Sequence, residues 1–323
     1  MKELDIVVVG ELNADLILTG LPSLPEIGQC KLSKDMCFTL GSASAIFASN
    51  ISRLGLKVGF IGKVGNDDLG DFVLKSLGQN NVDTSHIIRD ESAKTGICVS
   101  LSFPENYAMA SYAGVRETLT LSDINLDFVA KAGHLHMSSY YLQPGLQEGC
   151  AELFKTAKDM GLTTSLDPDS DPTGRWDETI LGLLKYIDIF LPNEKEAQLI
   201  AKCDTVESAL DLLSRTVKIV VIKTGEKGVW VKKSGRTIHA DAFTVNAVDT
   251  TGAGDSFNSG FIYQFYKGSS IEDCILWGNA CGAISTTEPG GTTAFPNLSQ
   301  VEQFLKSNSE QIKQLLHKIN DSN

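Results

Sequence analysis

The chain has 323 residues, 42% hydrophobic and 21% charged, the make-up of a globular protein with a sizeable core. Its 40 acidic residues outnumber 28 basic ones for a net charge of −12, which argues against a nucleic-acid surface and obliges any anionic substrate to find local positive potential. Seven scattered cysteines form no C-x-x-C pair or zinc spacing, and no apolar run approaches the roughly 20 residues of a membrane helix, so a reduced, cytoplasmic protein with no membrane partner is expected.

The opening Met1-Lys2-Glu3-Leu4-Asp5 runs directly into a strand and does not read as a signal peptide. Ile6 to Val9 is a continuous apolar run, as in a buried parallel strand. From Leu12 to Thr19 the pattern alternates, with Leu12, Ala14, Leu16 and Leu18 on one face and Asn13 and Asp15 on the other. Residues 31–39, 96–103 and 107–113 read as its partners in a small antiparallel sheet with one open face. Gly41-Ser42 introduces a helix that turns Ala45, Phe47, Ala48, Ile51 and Leu54 inward and stops at Gly55. Strands at 58–61, 135–137, 163–166, 187–191 and 219–222 then alternate with helices at 68–77, 145–160, 194–201 and 206–213, which implies a mostly parallel sheet covered on both faces. A further strand is expected to lead into the turn at 249–254 and a helix carrying Phe257, Gly260, Phe261 and Phe265. Two more helices follow at about 271–286 and 299–318, the last with a packing stripe from Val301 through Leu315 and Leu316 to Ile319. No repeat or linker divides residues 1–323, so one α/β unit is expected, its small β lid built from about 12–40 and 96–115.

Ligands in open parallel sheets bind at the carboxyl ends of strands, where Asp15, Gly41, Asn193, Thr224 and Asp255 all fall. The turn is the richest in chemistry. Asp249, Thr250 and Thr251 offer N-cap oxygens, and Gly252 and Gly254 let the backbone approach something bulky. A helix N-terminus invites an anion, yet Asp255 sets a carboxylate in its first turn. Asp255 either complements the helix dipole or acts as a base beside a bound phosphate. Neither a P-loop nor a G-x-G-x-x-G unit occurs, and His134 and His136 lack a third metal ligand, so they read as structural or solvent-facing.

The segment Asp249-Thr250-Thr251-Gly252-Ala253-Gly254-Asp255-Ser256-Phe257 resembles the D-T-x-G-A-G-D-x-F signature of the PfkB, or ribokinase-like, carbohydrate kinases. The resemblance extends over nearly the whole chain. Asn13-Ala14-Asp15 resembles the family's N-x-D strand, residues 41–55 its N-terminal signature, and residues 64–70 its V-G-x-D-x-x-G. Asn193-Glu194-Lys195-Glu196 matches N-x-x-E, and Lys223-Thr224-Gly225-Glu226-Lys227-Gly228 a nucleotide-site T-x-G-x-x-G.

This resemblance implies a three-layer αβα fold with a central mostly parallel sheet and a β lid, and transfer of the ATP γ-phosphate to a sugar hydroxyl. Asp255 would be the base, with the N–H groups of Gly252, Ala253 and Gly254 holding the phosphoryl charge. Asn193 and Glu196 would meet Mg²⁺ mainly through water. Thr224, Gly225, Gly228 and Asn279 would meet the nucleotide. Asp249 and Thr251 would form one half of a K⁺ site, and the loop at 286–292 the other. Asn13, Asp15, Gly41, Ser42 and Asp255 would face the sugar. Relatives commonly dimerise through the lid, so a homodimer is expected.

The pattern breaks on the sugar side. Gly41-Ser42 stands for the usual glycine pair, and Ile46 for an asparagine that would bond a sugar hydroxyl. Arg116, where the lid returns to the core, suits a carboxylate or phosphate, although a surface arginine would look the same in sequence. Asp167-Pro168-Asp169 resembles the family's D-P-N loop, with Asp169 in place of asparagine. A fructokinase- or ribokinase-type activity is expected, with an acidic sugar or sugar phosphate also open. Two alternatives stand beside it: a nucleoside kinase using an aromatic clamp from Phe38, Phe103, Tyr107 or Tyr140, and a non-catalytic sugar-binding regulator.

Overall fold

The computed structural model describes residues 2–103 and 106–312. In β1 (Ile6–Val9) all four side chains are enclosed, Ile6 and Val8 on one face of the sheet and Val7 and Val9 on the other. Two strands then leave the main sheet, β2 (Asn13–Thr19) and β3 (Asp35–Leu40). The chain returns through α1 (Ala43–Arg53), β4 (Val58–Gly65), α2 (Asp68–Gln79) and β5 (Val82–Asp90), and departs again in β6 (Gly96–Phe103) and β7 (Asn106–Tyr112). Next come α3 (Leu126–Val129), β8 (His134–Ser138), α4 (Pro144–Asp159), β9 (Thr163–Asp167), α5 (Thr179–Leu183) and β10 (Ile189–Phe190). The pair α6 (Glu194–Ala201) and α7 (Val206–Leu213) precedes β11 (Ile219–Lys223) and the hairpin β12 (Val229–Lys233) and β13 (Arg236–Ala240). Three helices close the described chain: α8 (Ala253–Tyr266), α9 (Ile271–Ser285) and α10 (Leu298–Ser307).

Among the described residues the main sheet has nine strands in the order β13-β12-β11-β10-β9-β8-β1-β4-β5, parallel from β11 to β5. Strand alternation divides the core in two. Ile6, Val8, Ile219 and Val221 pack with Phe47 of α1, Phe261 of α8 and Ile275 of α9; Val7, Val9, Val220 and Ile222 pack with Phe154 of α4, Ile200 of α6 and Leu210 of α7. At about 1.5–3 kcal/mol for each fully buried aliphatic or phenyl group, these two layers dominate stability.

Several expectations are corrected. The small sheet, ordered β3-β2-β6-β7, is mixed, because β2 pairs parallel with β6. In β2 the deeply buried aliphatic after Ala14 is Ile17, on the same face as Asn13 and Asp15, whereas Leu16 and Leu18 are half-buried. The strand β5 is an edge strand too polar to stand out by hydrophobicity. The hairpin turns at Ser234-Gly235, both with positive φ (52° and 82°), a two-residue turn of the kind that fits strand twist. No strand precedes the 249–254 turn; residues 241–249 are irregular, and the N–H groups of Val248 and Asp249 bond Thr286 O at the end of α9. β10 is only two residues long, and its pairing with β11 resumes past Pro192 as a single parallel bridge between Asn193 and Lys223. α10 breaks at Asn308, helical backbone resumes over 309–312, and positions 315, 316 and 319 of the expected stripe lie outside the described residues. His134 and His136 are fully buried, so neither faces solvent. Burial pushes the His134 imidazole down to about 3 and that of His136 well down too, and both bond the Ser165 hydroxyl as neutral rings.

Gly228, between β11 and β12, has φ 92°, and a Cβ there would lie 2.0 Å from Ala240 O. Gly228→Ala should cost about 1–3 kcal/mol, the range for strained backbone. An earlier urea midpoint at unchanged slope would show it.

Candidate active site

The carboxyl ends of β1, β8, β9 and β11 open on one edge of the main sheet. Just past β1, Glu11 is 1% exposed and held by serine hydroxyls: Ser44 Oγ at 2.7 Å, Ser139 Oγ at 2.9 Å and Ser42 Oγ at 3.0 Å. Ser139 also reaches Asp169 Oδ2 at 2.9 Å. Ser42, Ser139 and Asp169 all have positive φ (71°, 57° and 56°), an unfavourable backbone for non-glycine residues that persists where surroundings over-determine it. Ser42 caps α1 by accepting from Ala45 N–H at 3.1 Å, which explains a serine at a position that suits glycine.

At the end of β9, one oxygen of Asp167 accepts from both Lys223 Nζ and Asn258 Nδ2. Lys223 Nζ lies 3.4 Å from where a Cβ on Gly254 would sit, so its ammonium flanks the start of α8. Burial opposes that charge, but Asp167 and Glu196 hold it above the ordinary lysine range. The α8 N-terminus has Gly252 as its cap residue with φ 70° and no side-chain cap, contrary to the expected capping by residues 249–251. Asp249 instead takes the N–H and hydroxyl of Thr251 on one oxygen and Gly290 N–H on the other. The N–H groups of Gly252 and Gly254 have no partner among the described residues, whereas Ala253 N–H bonds Thr250 O at 3.1 Å. A Cβ on Gly252 would fall 2.5 Å from Gly291 Cα, so only glycine fits. Asp255 is half-buried. Burial first, and Asp167 second, push its carboxyl well above the usual range.

On the lid side, Asn13 Nδ2 donates to Asp15 Oδ1 at 2.8 Å, directly over Gly41, where a Cβ would lie 2.0 Å from that same oxygen. Burial raises Asp15 from the ordinary 3.8 to about 7, against the opposing pull of Asn13 and Arg116. Ile46 is 3% exposed and packs on Gly252 and Gly291. Arg116 is buried rather than a surface residue, and reaches Asn13 and Ser111. Tyr140 is not brought to this wall: it is buried among the α4 and α5 side chains, with its hydroxyl on Thr179. Of the other aromatics a clamp could draw on, Phe38 packs on Phe72 of α2, and the Tyr107 side chain lies outside the described residues.

On the other side, Asn193 and Glu196 form a reciprocal capping box at the start of α6. Glu196 is 5% exposed, and burial with the nearby Asp167 charge raises its carboxyl. Asn193, Gln198, Lys223, Thr224 and Gly225 line an open cleft of about 370 Å³. The Thr224 N–H and hydroxyl both donate to Gly228 O, which closes a tight loop. Asn279 spends its amide N–H on Asp241 O at 3.0 Å, anchoring the irregular 241–249 segment.

Residues 3–298 match the model for the pfkB family carbohydrate kinases. The chain belongs to that family. Such a kinase is a phosphotransferase with an alcohol group as acceptor. The chain is 30% identical to the 2-dehydro-3-deoxygluconokinase of Bacillus subtilis, over 94% of this chain and 96% of that protein. Among solved structures, ribokinase from Thermotoga maritima aligns with TM-score 0.81 at 28% identity, covering 94% of this chain and 99% of that one. Ribokinase of Arabidopsis thaliana, solved with ribose and ATP, aligns with TM-score 0.81 at 25% identity and the same coverage. No helix among the described residues is long and apolar enough to cross a membrane.

The kinase also gathers residues that sequence reasoning did not single out. Glu11, Lys223 and Asn258 meet partners 31 to 128 positions distant only through the fold, and their one sequence signal was lying beside a strand end or motif.

The elevated carboxyls carry a sign. Raised in the folded state, they stabilise the fold while protonated, and that contribution fades as pH climbs from about 4 through 7. The ligand-free kinase should therefore melt at progressively lower temperature from pH 5 to 8, and Asp15→Asn should flatten part of the slope. Calorimetric scans across that range test this.

Proposed function

We propose that this kinase transfers the γ-phosphoryl group of ATP to a hydroxyl of a sugar, in the manner of a fructokinase or ribokinase. What carries the reading is the uncapped start of α8, where unpaired N–H groups, the Lys223 ammonium and the Asp255 carboxylate meet. The sugar would rest against Asn13, Asp15, Gly41 and Ser42 beneath the lid. Asp255 would take the proton of the attacking hydroxyl; its raised pKa makes it a stronger base than an ordinary carboxylate, at the expense of activity in acid. The free N–H groups of Gly252 and Gly254 would receive charge on the transferring oxygens as they approach along the α8 dipole. Ala253 contributes its place in the turn, since its N–H is already engaged.

The nucleotide would lie in the cleft by Asn193, Thr224 and Gly225, next to the loop that Gly228 O closes. Among the described residues no three such side chains lie close enough to hold an ion directly, but Asp167, Asp169, Glu196 and Asp255 set hard oxygens about the Lys223 ammonium, which suits a Mg²⁺ that keeps its waters. Asn193 and Glu196 would hold it through water, and it would offset charge on the phosphate oxygens. Asp249, Thr251 and the 286–292 loop are already tied together, which supports a K⁺ site built mainly from backbone oxygens beside the turn. Met36, Phe38 and Tyr112 share one face of the lid sheet and are 39–59% exposed, which supports a homodimer through that face. Sedimentation of the wild type as a monomer at micromolar concentration would remove the dimer.

A coupled ADP-release assay over sugars and nucleosides tests the central claim. Asp255→Asn should lower kcat by about 10²–10⁴-fold, the usual worth of a general base, with little change in KM for ATP. An undiminished kcat in that variant would refute the mechanism. In the same assay, exchange of potassium for sodium should slow turnover, and equal rates would exclude the monovalent site.

A further inference from the structure

Burying a cation away from water is costly unless an acid or a full set of hydrogen bonds compensates. Among the described residues, Lys63 and Arg116 are the basic residues exposed by less than a tenth, each at 8%. Lys63 is compensated: Asp123 and Asp90 lie 3.0 and 3.5 Å from its Nζ, and Thr118 O accepts at 3.2 Å. Arg116 is not. Its Nη1 reaches Asn13 Oδ1 at 3.5 Å and its Nη2 reaches Ser111 Oγ at 3.3 Å, both long for hydrogen bonds. Its Nε is buried with no partner, and although Asp15 is near enough to feel its charge, no described carboxylate comes within ion-pair distance of it. Asn13 stands between Arg116 and Asp15, turning Oδ1 to the guanidinium and Nδ2 to the carboxylate. The sugar end of the cleft thus holds an under-bonded guanidinium beside Asn13, and nearby Ile46 offers a ring hydroxyl nothing.

We propose that Arg116 recognises an oxyanion on the substrate, so that the phosphoryl acceptor is a sugar acid or a sugar phosphate rather than a neutral sugar; this rests on the sugar-kinase reading above. A carboxylate or phosphate presents two oxygens that the guanidinium edge can meet bidentately. Such a substrate supplies the partner that the burial of Arg116 lacks. A neutral sugar leaves it orphaned, which is how a polar site rejects a near relative of its ligand.

The test compares wild type, Arg116→Lys and Arg116→Gln in the ADP-release assay with fructose, ribose, 2-dehydro-3-deoxygluconate and fructose 6-phosphate. In the wild type, kcat/KM for an anionic sugar should exceed that for the neutral ones by at least about 100-fold. Arg116→Gln should collapse that ratio, mainly through KM, and Arg116→Lys should restore part of it. Which of the two anionic sugars responds tells a carboxylate from a phosphate. A wild type that prefers fructose or ribose, or a ratio that survives Arg116→Gln, overturns the proposal. A purely structural Arg116 would lower the urea midpoint without moving the ratio. If the wild type turns over none of the four, the sugar-kinase reading fails separately, and calorimetric titration of the same sugars still decides. Binding of an anionic sugar that Arg116→Gln abolishes supports the proposal, and no such binding overturns it.

Discussion

At the mouth of the main sheet, Lys223 of β11 and Asn258 of α8 share one oxygen of Asp167 from β9, and the electrostatics of the whole cleft turn on that junction. The ammonium is the positive charge set among Glu11, Asp167, Asp169, Glu196 and Asp255, whose carboxyls would otherwise meet with nothing to offset them. Burial and mutual repulsion lift Glu11, Asp169, Glu196 and Asp255 above their ordinary range. A pocket so short of positive charge suits phosphates delivered with a cation. It does not suit a naked anion, and the α8 N-terminus alone would mislead on that point.

The two walls of the cleft differ in kind. Around Asn193 and Thr224 the polar groups satisfy one another in caps and tight loops, so that wall is held in place by its own contacts. Around Arg116 they do not, and the imbalance there is what a specificity pocket requires. The serines about Glu11 form a third kind of region. Ser42, Ser139 and Asp169 hold strained backbone so that one buried carboxyl can be clasped by several hydroxyls.

Much of this was legible in the amino-acid order, for physical reasons. Parallel strands buried on both faces leave apolar runs such as Ile6–Val9, and helices leave caps such as Thr205 and Asn193, so those elements fall where expected. The β5 strand was hidden because an edge position tolerates polar residues, and the turn at Ser234-Gly235 was the readable sign of a hairpin that hydrophobicity missed. Asp255 announces itself through its neighbours in sequence. Lys223 and Glu11 cannot, because their partners come from other elements. Tyr140 shows the reverse error: an aromatic beside a strand end whose side chain turns into the core.

The loop at 286–292 ties distant parts of the chain together. Asn50 Nδ2 bonds Gly291 O at 3.0 Å, Arg53 bonds Thr292 O at 2.7 Å, and Asp249 takes Gly290 N–H at 2.8 Å. The first of these spans 241 positions. In chain order the 41–55 segment and the 249–255 turn lie far apart, and this loop bolts the two together. Closing loops of that length costs more entropy than pairing neighbouring strands. The junction between the 249–255 turn and the start of the chain therefore rests on the structure's more expensive contacts, and the sheet does not.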